Sequence, residues 1–197
     1  MEATRRLGLE LGLVLVLIGL LFWAAAQGRT AYIGTFTSLL SAAKGASLGS
    51  LVPGTQVAVL KEQAGFSQVQ IQGWSPQGGS SALFAAKGQR ILLASFTGKV
   101  QRRVKGQGKD EGGAVWEQVE VVGWVPKSAL IADVNTLWKQ AGALYQQRCS
   151  TCHALPETGK FTANQWPPIM RGMGPRSGLT AEQTQLLTRY AQAHAKR

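Results

Sequence analysis

The sequence predicts a chain in three parts: an N-terminal transmembrane helix (residues 1–30), an all-β middle built as two small barrels in tandem (31–80 and 81–132), and an all-α C-terminal domain (134–197). Three observations carry this. Leu11–Gly28 holds no charged side chain and is dominated by Leu, Val, Ile, Phe and Trp. The middle repeats itself: Ala42-Ala43-Lys44-Gly45 returns 43 residues on as Ala85-Ala86-Lys87-Gly88, and Phe66–Pro76 returns 50 residues on as Trp116–Pro126. From Val134 the apolar residues change to three- and four-residue steps, the period of a helix.

The N-terminal stretch is long enough to span a bilayer, whose core takes about 20 apolar residues as a helix. Leu7–Ala26 reaches that length with one acid, Glu10, near its start. Arg5 and Arg6 ahead of the run keep the N-terminus inside and put everything after Gly28 outside. Trp23 suits the outer interface. Ala24-Ala25-Ala26 would also serve a signal peptidase, so a cleaved leader stands as the alternative.

Each copy in the middle reads as short strands between turns. Val57–Leu60 and Gln68–Ile71 flank a turn at Lys61–Gly65, and Gln68–Ile71 alternates polar with apolar side chains. Val100–Val104 and Glu117–Val122 repeat the arrangement, with Lys105–Gly113 inserted as a Gly-rich, charged hairpin tip. The strand ending in Gly-Trp-x-Pro, present at Gly73-Trp74-Ser75-Pro76 and Gly123-Trp124-Val125-Pro126, resembles that of bacterial SH3-like domains, a likeness covering residues 31–131. Trp74 and Trp124 read as core or rim aromatics, or as the walls of a partner-binding groove. The region has no His and no Cys, and its acids Glu62, Asp110, Glu111, Glu117 and Glu120 fall at turn tips or on polar strand faces. That excludes acid–base or nucleophilic chemistry here and leaves binding or spacing.

The C-terminal part carries the chemistry. Cys149-Ser150-Thr151-Cys152-His153 holds the only two cysteines of the chain. Two thiols at this spacing form thioethers to the vinyl groups of one haem, and the adjacent imidazole ligates its iron. A disulfide, a thioredoxin-like pair or half a zinc site compete for the same atoms. Zinc lacks further ligands, and the strand-to-helix setting of a redox pair is missing. Leu137, Trp138, Ala141, Leu144 and Tyr145 form the apolar face of a helix running into the motif. Thr180 and Gln183 make a capping box for a last helix whose face is Leu186, Leu187 and Tyr190. Two terminal helices around a haem, with Gly142, Tyr145 and Tyr190 where they cross, resemble a class I cytochrome c.

The second axial ligand comes from Met170, Met173 or His194. His194 sits near the end of the last helix, where solvent exposure is expected. Trp166 and Met173 have the Trp-x6-Met spacing of several haem domains, and Gly172 and Gly174 let the backbone approach the haem edge. Met173 is the expected ligand and Met170 the alternative, the other methionine being core. The second ring nitrogen of His153 is expected on a backbone carbonyl near Pro156.

The net charge is +11, and residues 134–197 hold eight basic and two acidic side chains. Such a balance would suit nucleic acid in the cytoplasm; outside it, an acidic redox partner or anionic lipid is the fit. The wording around Arg148–Glu157, Phe161–Pro167, Leu179-Thr180 and Leu187–Tyr190 resembles the C-terminal monohaem domain of the pentahaem cytochromes of trimethylamine N-oxide reductase systems. That resemblance implies a cytochrome with one covalent haem c, single-pass in the bacterial inner membrane with its later domains in the periplasm. It would pass single electrons from a quinol-oxidising membrane partner to a periplasmic, molybdenum-type reductase, and would not itself be an enzyme. The tandem β pair would occupy the place of the missing tetrahaem module. A haem-bearing scaffold subunit of a respiratory complex is the alternative.

Overall fold

The strands of the middle region are β1 (Arg29–Ile33), β2 (Thr37–Leu40), β3 (Ser47–Leu51), β4 (Gln56–Gln63), β5 (Phe66–Pro76), β6 (Ala82–Phe84), β7 (Leu92–Phe96), β8 (Arg102–Lys109), β9 (Val115–Pro126) and β10 (Leu130–Ile131). Alternation sets their faces. In β5, Ser67, Val69, Ile71, Gly73 and Ser75 are buried between outward Gln68, Gln70, Gln72 and Trp74. In β9, Val119, Val121, Gly123 and Val125 do the same.

The duplicated segments pair with each other. β5 and β9 run antiparallel over their shared length, Phe66 facing Pro126, Ile71 facing Val121 and Pro76 facing Trp116. The pairing relates the copies by an approximate two-fold axis between Ile71 and Val121. Across the barrel β3 pairs with β7, again one strand from each copy. The ring β5-β6-β7-β3-β2-β9 then closes on itself, with β4, β1 and β10 continuing from β5 and β8 from β9.

Two barrels in tandem are therefore not what the chain builds: both copies interleave in one closed barrel. Its interior is one cluster drawn from both, with Leu39, Leu51, Val69 and Ile71 beside Leu83, Phe96, Val119 and Val121. The physical reason lies at the two motif glycines. A Cβ on Gly73 would fall 2.6 Å from the Phe84 carbonyl oxygen, and one on Gly123 would fall 2.6 Å from Cδ1 of Leu39. The hairpin of each copy crosses the long strand of the other where that strand has no side chain. The expected hairpin tip holds in part, since most of the insertion extends β8 and only the turn from Asp110 to Gly113 forms the tip.

The computed structural model describes residues 28–196, so the expected transmembrane helix lies outside the described residues except at its end, where Arg29 and Thr30 belong to β1. Among the described residues no helix is long and apolar enough to cross a membrane.

The C-terminal segment is not a free-standing all-α domain either. It holds α1 (Val134–Cys149), α2 (Trp166–Met173) and α3 (Ala181–Ala193), with a parallel bridge between Thr162 and Lys196. Asp133 caps α1 by accepting from the Asn135 amide at 2.9 Å. The capping box at Thr180 and Gln183 is present in both directions. These helices are fastened to the barrel. Trp138 packs onto the turn at Gly54. Asn164 accepts from the Arg90 amide at 2.7 Å and donates to the Gly88 carbonyl at 2.8 Å, while Gln192 donates to the Arg90 carbonyl at 3.0 Å.

Candidate functional site

α1 brings Tyr145 and Cys149 onto one face, four residues apart, and a turn after its end presents Cys152 and His153. α2 answers from the other side. Trp166, Met170 and Met173 follow one another at steps of four and three, so all three line the same pocket. Pro167 and Pro168 are tolerated because they fall in the first turn, where the amide has no helical partner. The pocket holds about 250 Å³ and is bounded by Tyr145, Cys149, Cys152, His153, Ile169 and Met173, with Arg148 and Arg176 at its edge.

Trp166 is the centre of this architecture, and the sequence reading used it only as one end of a spacing. It is 1 % exposed. Tyr145 and Phe161 meet it edge-on at 6.3 and 5.2 Å, and its Nε1 donates to the Thr158 carbonyl at 3.1 Å. The signal that could have found it is its place between Gln165 and Pro167, an aromatic in the first turn of a short helix. α1 and α3 cross as expected: a Cβ on Gly142 would stand 2.9 Å from the Tyr190 hydroxyl.

The methionines separate cleanly. Met170 is 2 % exposed and packs in the helical core, whereas Met173 is 39 % exposed at the pocket. His194 is exposed at the end of α3, its Nδ1 2.8 Å from the Tyr190 carbonyl, and does not line the pocket. His153 Nδ1 lies 2.8 Å from the Ala154 carbonyl. The Pro156 carbonyl accepts from the Tyr145 hydroxyl at 2.8 Å, so the His153 partner is two residues earlier than Pro156. With Nδ1 engaged, Nε2 is the nitrogen left to ligate.

Neither cysteine is in a disulfide, and Cys152 is exposed while Cys149 is half-buried. Burial pushes the Cys149 thiol up from its ordinary pKa. It also raises Tyr145 to about 12, helped by the neighbouring Cys149 and Tyr190. Of the basic residues of this segment, Arg148 and Arg176 border the pocket, while Lys160 lies over the Phe161 ring and Arg171 is exposed on α2. Two thiols, a fixed imidazole and a thioether around one apolar pocket form a donor set that fits haem c.

A family model described as the TorC third cytochrome c domain matches residues 25–130, more than half of the chain. The chain belongs to this TorC domain family. It is 32% identical over 151 residues to cytochrome c-type protein TorC of Escherichia coli (strain K12), covering 75% of this chain and 39% of that protein. It is 34% identical over 152 residues to cytochrome c-type protein TorY of Escherichia coli O157:H7, covering 76% and 41%. Against cytochrome c-type protein TorY of Haemophilus influenzae the figures are 29% over 150 residues, 74% and 40%. The chain thus spans about two fifths of the length of these curated relatives. No solved structure matches it. Membership in a c-type cytochrome family implies covalently bound haem c, and the class works by electron transfer rather than by turnover of a bound substrate.

The TorC domain match falls on the middle region. The stretch that carries the family's cytochrome c description is the β barrel, which contains neither Cys nor His. The barrel is therefore part of what the TorC domain family shares.

Proposed function

We propose that residues 134–197 carry a single haem c, which Cys149 and Cys152 would attach and whose iron His153 and Met173 would ligate. The observation that carries this reading is that these four residues line one pocket between α1 and α2. When bound, the haem supplies an iron that exchanges one electron at a time. His153 is oriented by the Ala154 carbonyl so that Nε2 faces away from it. Tyr145 and Trp166 close the inner wall and exclude water, which favours the less charged state and, with a thioether ligand, a higher potential. Arg148 and Arg176 at the rim, with Lys160 and Arg171 nearby, would attract an acidic partner in a salt-dependent way. The apolar Leu7–Ala26 stretch would hold the chain at the bacterial inner membrane, with the rest in the periplasm. There it would relay electrons from a quinol-oxidising membrane protein to a periplasmic reductase of the trimethylamine N-oxide class, a molybdenum enzyme.

The ligand assignment is tested with Met173→Ala and Met170→Ala in the haem-loaded protein. Met173→Ala should lose the weak far-red band that marks sulfur ligation of ferric haem c, and its potential should fall. Met170→Ala should keep the band and instead lose about 2–5 kcal/mol of stability, as for other buried methionines cut to Ala. A band that survives in Met173→Ala refutes the assignment.

A further inference from the structure

A second pocket, of about 450 Å³, lies between the barrel and α3, away from the haem pocket. Its floor is the outer face of β4, β5 and β9. Gln56 and Ala58 lie on that face with Gln70 and Gln72, since Ala58 pairs with Gln70. Gln118 pairs with Trp74 beside them. Arg189 of α3 lines it from above and is the only charged residue among the described ones that do.

Arg189 is 6 % exposed, and its Nε has no hydrogen-bond partner among the described residues. No side-chain hydrogen bond or ion pair of the described residues involves it at all. Burial pulls its pKa down to about 10, which still leaves a cation at neutral pH. The acid that the register sets opposite Gln72 is Glu120, and Arg103 and Lys105 engage it at 3.7 and 3.8 Å. A buried guanidinium without a counter-charge is costly unless something supplies one. Its planar fork matches a carboxylate. One cation among neutral amides suits a monoanion rather than a phosphate dianion, and the Trp74 ring adds an apolar wall.

We propose that this cleft binds a carboxylate-bearing ligand, with the carboxylate on Arg189, the Gln56, Gln70, Gln72 and Gln118 amides on its neighbouring polar groups, and its apolar part against Trp74. Two sources share that chemistry: a small organic acid and the free C-terminus of a peptide.

The test is calorimetric titration of the full-length, haem-loaded protein with acetate, N-acetylglycine, N-acetylglycinamide and inorganic phosphate. Saturable binding of a carboxylate, with none for the amide and weaker binding of phosphate, is expected. Acetate binding as well as N-acetylglycine assigns the cleft to small acids; binding by N-acetylglycine alone assigns it to a chain terminus. Arg189→Met should weaken the carboxylate at least tenfold. Gln72→Glu, which places a carboxylate in the cleft, should abolish binding and raise the melting temperature, and serves where Arg189→Met fails to fold. Absence of saturable carboxylate binding, or wild-type affinity in Gln72→Glu, overturns the proposal.

Discussion

The interleaving of the two copies makes Leu39 and Gly123 neighbours although they belong to different repeats, and that contact has a measurable size. A Cβ at Gly123 would lie 2.6 Å from Cδ1 and 2.7 Å from Cγ of Leu39, with the Leu40 carbonyl oxygen at 3.0 Å. Leu39 is fully buried and has nowhere to retreat. Gly123→Ala should therefore cost near the top of the ~1–3 kcal/mol range for overpacking. Leu39→Ala removes a fully buried leucine and should cost about 3–4 kcal/mol, within the range for such deletions. In the double variant the new methyl group enters the space Leu39 left. Its total cost should fall short of the sum by about 2 kcal/mol, a coupling typical of residues in direct contact. Urea unfolding of the four proteins, followed by far-ultraviolet circular dichroism, gives the cycle. Costs that add to within about 0.5 kcal/mol, as for distant independent sites, would sink the interleaved barrel and restore two separate units.

Two further outcomes follow from contacts at the surface. The Trp116 indole, donating to Asp110 at 2.8 Å, and the Ala114 amide, donating at 2.9 Å, hold the Asp110 carboxyl below its ordinary pKa. A depressed carboxylate contributes stability above its unfolded pKa and loses it as pH falls through the folded value, so Asp110→Asn should flatten the acid limb of the melting temperature below pH ~4; an unchanged limb refutes the contribution. Asn164→Ala removes both hydrogen bonds to the barrel backbone and should cost about 1–2 kcal/mol. The Arg90 amide should then exchange its hydrogen faster, and unchanged protection there would show that Asn164 does not fasten the helices to the barrel.

Local signals in the sequence translated directly into structure. Thr180 and Gln183 cap α3 as their spacing demands, Gly142 admits Tyr190, and the repeat at Phe66 and Trp116 marks the two longest strands. What the repeat left open was its partner. Val69 and Ile71 alternate in the same way whether their strand pairs within its own copy or with Val119 and Val121, because alternation fixes a face and not a neighbour. The deciding contacts, Gly73 with Phe84 and Leu39 with Gly123, join residues of different copies and leave no local trace. The α2 helix was hidden by Pro167, Pro168 and Gly172, which local propensity counts against a helix. Arg189 was hidden too, since an arginine on an otherwise amphipathic helix reads as solvent-facing until the barrel beneath it is seen.

The two-fold pairing of β5 with β9 also decides when the chain can fold. The first copy, made alone, would display all eleven residues of Phe66–Pro76 with one hydrogen-bonding edge unmatched, and an open edge of that length invites pairing with other chains. A protein cut after residue 80 should then be insoluble rather than a smaller working module. During synthesis the same rule makes the first half wait: the barrel seals only when Pro126 has emerged, so its stability arrives at once and late, shortly before Cys149.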